Sequence, residues 1–255
     1  MVSDIDGGSY DACGIASSSL SQTNFTCADI GVNNLTLSVT DINGNTSSCT
    51  STVNVKDQTA PTSLCQDLTI QLDNNGLATL TAADIDNGSN DACEIANLSL
   101  DKAGFDCTNV GGNTVTLTVT DNHSNSSTCT ANVTILDETD PSLTCPGEQT
   151  VNTASGECGA YVTLPKAAPA DNCGIKNLKS RYRMLDEQGN PVGSWSGWQN
   201  DLSGFFELGS YEIQWRAKDN ANNKGFCSYQ LNVVDNEAPE VICTAYLQNN
   251  LSMVN

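Results

Sequence analysis

Basic side chains are scarce in this chain: ten lysines and arginines stand against 30 acidic residues, and only Lys56 and Lys102 precede residue 166. The formal charge of −20 repels phosphate backbones and anionic headgroups, so nucleic acid and direct membrane contact are poor partners and divalent cations good ones. Histidine is scarcer still. His123 is the single one, in a turn at the place that Asn43 takes in the preceding repeat, where a solvated surface role is expected. No Gly-x-Ser-x-Gly elbow occurs. Hydrolysis needs a base matched to a nucleophile, so the chain is expected not to be an enzyme, and nothing supports a catalytic carboxylate pair. Apolar runs long enough to span a bilayer are absent, and the N-terminus does not read as a signal peptide.

Cysteine, by contrast, is plentiful. There are 12, with no Cys-x-x-Cys, which argues against structural zinc and thioredoxin-like chemistry and for disulfides in an extracellular, cell-surface setting. They recur at an interval of 80 residues: Cys13, Cys93 and Cys173; Cys27 and Cys107; Cys49 and Cys129; Cys65 and Cys145. The last two series continue at Cys227 and Cys243 after an interval of 98, so the third copy carries an insertion of 98 − 80 = 18 residues. A period of this size is one small β-domain per repeat. The expected organisation is a partial repeat at 1–58, a complete one at 59–138, a third at 139–236 with a hairpin insertion near 181–204, and the first strand of a further repeat at 237–255. Both ends break inside a unit, which reads as a piece of a longer secreted protein.

Residues 4–61 align without gaps to 84–141, with roughly half of the positions identical. In the second repeat, 68–72, 77–80, 95–100, 115–119 and 130–135 are rich in Val, Thr, Ile and Leu and separated by Asp/Asn/Gly turns. Alternation without helical periodicity predicts an all-β fold, tandem Ig-like β-sandwiches in an elongated array. Cores this small and this poor in aromatics are marginal without staples. Pairing Cys129 with Cys145 leaves no cysteine over, but Cys129 begins a last strand that ends ~25 Å away, too far for a disulfide. First-strand to last-strand bridges, Cys65–Cys129 and Cys145–Cys227, are therefore preferred, and they leave Cys49 and Cys243 without partners here. The remaining bridges are expected as Cys13–Cys27, Cys93–Cys107 and Cys158–Cys173.

Acidic residues gather in the loop before the second cysteine, in the turn before the last strand and in the linker. In a sandwich this brings Asp57 towards Asp84, Asp86, Asp91 and Asp121, and Asp137 and Asp140 towards Asp171 and Asp219. Clustered carboxylates need cations between them, and calcium, which takes six to eight oxygens, is the expected structural cofactor. The competing reading is that Asp and Asn close turns through side-chain-to-backbone bonds.

The linker Asp-x-x-x-Pro with a following Cys, Asp171-Asn-Cys-Gly174, and the run Arg216 to Asp235 give the third repeat a resemblance to a hyalin repeat (HYR) domain. The first two repeats look like a divergent form found in large surface adhesins of gliding Bacteroidota, of the SprB type. They depart from it in lacking a counterpart of Cys158 and in adding Cys27 and Cys107. The resemblance implies an Ig-like scaffold and a role in adhesion or gliding motility, with neighbouring repeats as partners and a surface polysaccharide or protein as external target. The inserted stretch from Arg181 to Trp198 holds the chain's one aromatic-plus-basic group. Trp195, Trp198, Tyr182, Arg181 and Arg183 either form a ligand face or pack over the enlarged sheet.

Overall fold

The computed structural model describes residues 1–242; Cys243 and most of the strand expected at 237–255 lie outside the described residues. The chain is nearly all β and forms two units. One comprises Met1–Gln71 and Leu77–Leu136, the other Leu72–Gly76 and the chain from Asp137 onward.

In the first unit, the first repeat is an antiparallel sheet of β1 (Ile15–Leu20), β2 (Gly31–Asp41) and β3 (Thr46–Val55). The second repeat has β4 (Leu68–Gln71), β5 (Leu77–Thr79), β6 (Ile95–Leu100), β7 (Gly104–Asp106), β8 (Gly111–Asp121) and β9 (Ser126–Leu136). One sheet runs β4-β9-β8-β6 and a second pairs β5 with β7. The strands flanking the Asp73–Gly76 turn therefore belong to different sheets. β4 runs parallel to β9, with Leu68 opposite Val133, so first and last strands start at the same end. Period-2 alternation buries Val115, Leu117 and Val119 of β8 and Val133 and Ile135 of β9 completely. Phe105, Leu80, Ile85 and Ala131 of this repeat are buried as well.

The second unit contains β10 (Ser142–Thr144), β11 (Gln149–Asn152), β12 (Gly159–Val162), β13 (Ala168–Ala170), β14 (Ile175–Leu185), β15 (Pro191–Val192), β16 (Gly204–Glu207), β17 (Gly209–Asp219) and β18 (Lys224–Val234). Its sheets are β11-β18-β17-β14-β15, β10-β13 and β12-β16. Ala160, Val162 and Phe206 of β12 and β16 close a core against Tyr211, Ile213, Trp215, Tyr229 and Leu231. The insertion is less than the long hairpin expected. Only Met184 and Leu185 pair with Val192 and Pro191. Beyond β15 the chain folds back over β14, held by Ser196 N–H to the Tyr182 carbonyl at 2.8 Å and by the Ser180–Gln199 bridge.

Three hairpin turns repeat one design. Asp41, Asp121 and Asp219 accept the backbone N–H and the side-chain amide of Asn45, Asn125 and Asn223. A second repeated position, after Cys13, Cys93 and Cys173, is left-handed. Gly14 (φ 104°) and Gly174 (φ 86°) fill it in two repeats, but Glu94 stands there at φ 77°. A side chain in this region costs ~1–2 kcal/mol, partly offset by the extra chain entropy of glycine. Glu94→Gly is therefore expected to stabilise the first unit by ~0.5–1 kcal/mol, read as a higher denaturant midpoint at unchanged slope.

Candidate metal site

The disulfides set the frame. Cys65–Cys129 (Cα–Cα 5.8 Å) and Cys145–Cys227 (5.7 Å) join first strand to last strand, as the parallel pairing of β4 with β9 and of β11 with β18 permits. The short bridges differ from expectation. Cys27 bonds to Cys93, not Cys13, and so ties the first repeat to the second within one unit, Cα–Cα 5.3 Å. Cys13–Cys27 and Cys93–Cys107 are thereby replaced. Cys107 and Cys173 are disulfide-bonded, but Cys158 carries an exposed free thiol, so Cys158–Cys173 does not form either. Cys13 and Cys49 are likewise free and exposed.

Around this frame the nine acidic candidates separate. Asp84 is exposed and closes a capping box, accepting from the Thr81 N–H (2.7 Å) and hydroxyl (2.6 Å) ahead of the helical turn Ala82–Ile85; the hydroxyl bond first, then the N–H, lowers its pKa. Asp86 accepts from Ser89 N–H at 3.0 Å, and the exposed Asp140 from Lys224 N–H at 3.2 Å. These three serve local backbone. Asp121, 2% exposed, spends both oxygens on its turn. Burial works against its charge, yet the bonds from Asn125 and His123 hold its pKa below the usual value.

The homologous positions Asp57, Asp91 and Asp121, and Asp137, Asp171 and Asp219, frame the two candidate sites. In the second unit, oxygens of Asp137, Asp171 and Asp219 all lie within 4.8 Å of one another. Asp219 is fully buried and Asp137 is 5% exposed. Asp137 Oδ2 and Asp171 Oδ1 are buried without any hydrogen-bond donor. The other oxygens are engaged, Asp171 Oδ2 by Cys173 N–H (2.8 Å) and Asp219 by Asn223. The Asn223 amide also donates to the Asp137 carbonyl at 2.9 Å, fastening the linker to the β17–β18 turn. Burial first, with the charges of Asp137 and Asp219 behind it, raises the pKa of Asp171 despite the Cys173 bond. Two buried carboxylates and one half-buried one, with two open oxygens between them, fit a hard cation such as calcium.

The first unit's cluster is differently balanced. Asp57 and Asp91 approach one another, but the third member is Cys93, whose sulfur is committed to the bridge with Cys27. Asp57 Oδ2 faces His123 Nδ1 at 3.5 Å. His123 is thus an exposed turn residue, as expected, and also an acid's neighbour, with its side chain 31% exposed. In the third repeat Ala221 takes its place.

The tryptophan insertion is satisfied internally. Arg183, Trp195, Arg181, Trp198 and Arg216 stack in alternation, with guanidinium carbons 4.3–4.4 Å from ring centroids. Arg183 also pairs with Glu212 (2.7 Å), and Arg181 donates to Gln214. Tyr182 leaves this group. It points to the opposite face of β14 and meets Phe206 and Tyr211 edge-on at 5.5 and 5.9 Å. Since each half-exposed cation–π contact contributes ~0.5–1 kcal/mol, Trp195→Ala with Trp198→Ala is expected to lower the second unit's stability by ~2–4 kcal/mol. Differential calorimetry should show that transition moving while the first unit's stays.

Among the described residues no helix is long and apolar enough to cross a membrane. No family model matches the chain, and no curated protein matches it in sequence. Neither the hyalin-repeat nor the SprB-type resemblance therefore has a matching model or relative behind it. Among solved structures, the chain is similar to protocadherin gamma C5 EC1-3, at 12% identity over 81% of this chain and 79% of that one, with a TM-score of 0.37. It is also similar to mouse cadherin-23 EC22-24, at 11% identity over 84% and 78%, with a TM-score of 0.36. Likeness at this level carries no argument about function, which rests on the site alone.

Proposed function

We propose that this chain is a non-catalytic segment of an extracellular adhesive or stalk-forming array, stapled by disulfides and stiffened by calcium. Its partners are neighbouring repeats, with a surface polysaccharide or protein as the external target, in attachment or gliding. The observation that carries the reading is the Asp137–Asp171–Asp219 cluster with its two open, buried oxygens. At ~5 Å and an effective dielectric near 20, each pair of carboxylate charges repels by about 3 kcal/mol. A cation between them removes that cost and holds the linker carboxylate of Asp137 to the β17–β18 turn. Asp57 and Asp91 form a weaker counterpart, already compensated when His123 is protonated.

Proton linkage tests this. The folded-state pKa of Asp171 is raised, so in cation-free protein its ionisation destabilises the fold. That cost is absent below the ordinary value of 3.8, grows as pH rises from there to the raised value, and is constant above it. Calcium competes with the same proton, so its affinity is expected to fall as pH drops through the raised value, with proton uptake on release. Calorimetric calcium titrations in two buffers of different ionisation heat measure the coupling. Saturable binding without any pH dependence across the acid range would place the cation elsewhere.

A further inference from the structure

We propose that the outer face of β14, β17 and β18 is a binding surface for a linear acidic polysaccharide. Six of the chain's ten basic residues stand on it: Lys179, Arg181 and Arg183 of β14, Arg216 and Lys218 of β17, and Lys224 of β18. Alternation sends Ser180, Ile213, Trp215 and Ala217 into the core and these six outward. Cross-strand register sets Lys179 directly opposite Arg216, and Lys218 directly opposite Lys224. Like charges so placed are destabilising. Glu212 is the one acid at the outward positions of these strands, and among the described residues only Arg183 forms an ion pair, with Glu212 at 2.7 Å. Asp140 meets Lys224 at its backbone N–H, not at its ammonium.

The sandwich itself does not call for these charges. In the second repeat the same two cross-strand pairs are Ser99 with Thr118 and Thr120 with Ser126. In the first they are Ser19 with Ser38 and Thr40 with Thr46. The cations thus belong to the third repeat alone, in a chain of formal charge −20. Their cost shows in the side chains. Arg216 Nε is buried without an acceptor, and burial first, then the charges of Arg183 and Arg216, lowers the pKa of Arg181. An anion laid on the face from outside offsets this repulsion.

The geometry selects among polyanions. An acidic peptide adds to a sheet through an open strand edge. Here β17 lies between β14 and β18, β18 between β17 and β11, and β14 between β17 and β15, so the face offers side chains alone. Single-stranded nucleic acid needs free aromatic faces on which bases stack. Trp195 is held between Arg183 and Arg181, and Trp198 between Arg181 and Arg216. Successive cations along one strand are two residues, ~6.6 Å, apart, a row that a linear polymer can follow. Phe226, 51% exposed with its ring centroid 6.2 Å from that of Trp198, adds an apolar plane for a sugar ring. The proposal names the class of the external target and so rests on the adhesive reading, but not on the calcium sites.

The test is calorimetric titration of the whole oxidised protein with polygalacturonate in excess chelator, with neutral dextran, poly-L-glutamate and duplex DNA as comparisons. Polygalacturonate is expected to bind saturably, at least tenfold tighter than the other three, and more weakly as salt is raised. Lys179→Ser, Lys218→Thr and Lys224→Ser together install the second repeat's residues and leave the arginine–tryptophan stack in place. This variant should lose at least tenfold in affinity while melting no lower than the parent. Lys56→Ser, Lys102→Ser and Lys166→Ser together change the net charge equally and should bind as the parent does. No binding in chelator, equal binding of dextran, poly-L-glutamate or DNA, or equal losses in the two triple variants would each overturn the proposal. Binding that requires calcium would overturn it too, and would assign the ligand to the acidic clusters. Binding in chelator by a protein whose melting ignores calcium would support this face while removing the calcium sites.

Discussion

Cys65→Ser with Cys129→Ser is expected to cost the first unit ~4 kcal/mol on the chain-entropy account of a bridge closing a loop of this length. The separation is 64 residues, and the strands it joins, β4 and β9, touch only from Leu68 to Gln71 on the β4 side. Without the bridge, four residue pairs with β9 and the short contacts of Thr62, Leu64 and Gln66 with 85–90 hold the opening strand against the entropy of releasing it. For a domain of this size ~1 kcal/mol corresponds to ~4–8 °C, so the second repeat's transition should fall by ~15–30 °C. Cys145→Ser with Cys227→Ser, over 82 residues, should cost about as much. It should cost less of the cooperative unit, because Trp215, Tyr211, Phe206 and Tyr229 give the second unit an aromatic core that the first lacks. Unfolding of the oxidised variants in urea measures both. A shift below ~1 kcal/mol would mean that strand pairing suffices.

Asp137→Asn is expected to act in opposite directions with and without calcium. In chelator it removes one of three clustered charges, and its amide can donate to the Asp171 and Asp219 carboxylates, so stability should rise by ~2–3 kcal/mol. In calcium it removes a ligand, so the cation-dependent gain of the parent protein should vanish. The melting curves of parent and variant should therefore cross between the two conditions. A merely structural role for Asp137 as a turn former, through its 3.3 Å bond from Thr139 N–H, predicts loss in both. Asp84→Asn, which touches only the Thr81 capping box, should leave the calcium response intact.

The sheets were legible because alternation along β8, β9, β17 and β18 marks one buried face, and the long bridges followed from where those strands start. The short bridges were not. Cys13–Cys27 and Cys27–Cys93 satisfy an 80-residue period equally well, and only the fold shows that Cys27 faces the next repeat. Two other features had signals in the sequence. Thr81-x-x-Asp84 is a capping-box spacing ahead of an apolar residue, which commits one Asp84 oxygen to the Thr81 N–H and hydroxyl. Tyr182 lies between Arg181 and Arg183 on a strand, so period-2 geometry sends it to the opposite face. The partnership of His123 with Asp57 had none, since it joins a turn to a linker 66 residues earlier (123 − 57).

Thermal unfolding of the fully oxidised protein, in millimolar calcium and in excess chelator, tests the central claim most directly. The account predicts a rise of many degrees in the second unit's transition with calcium, and a smaller one in the first. Superimposed curves would contradict it, leaving the acidic clusters as turn chemistry and the disulfides as the array's whole support.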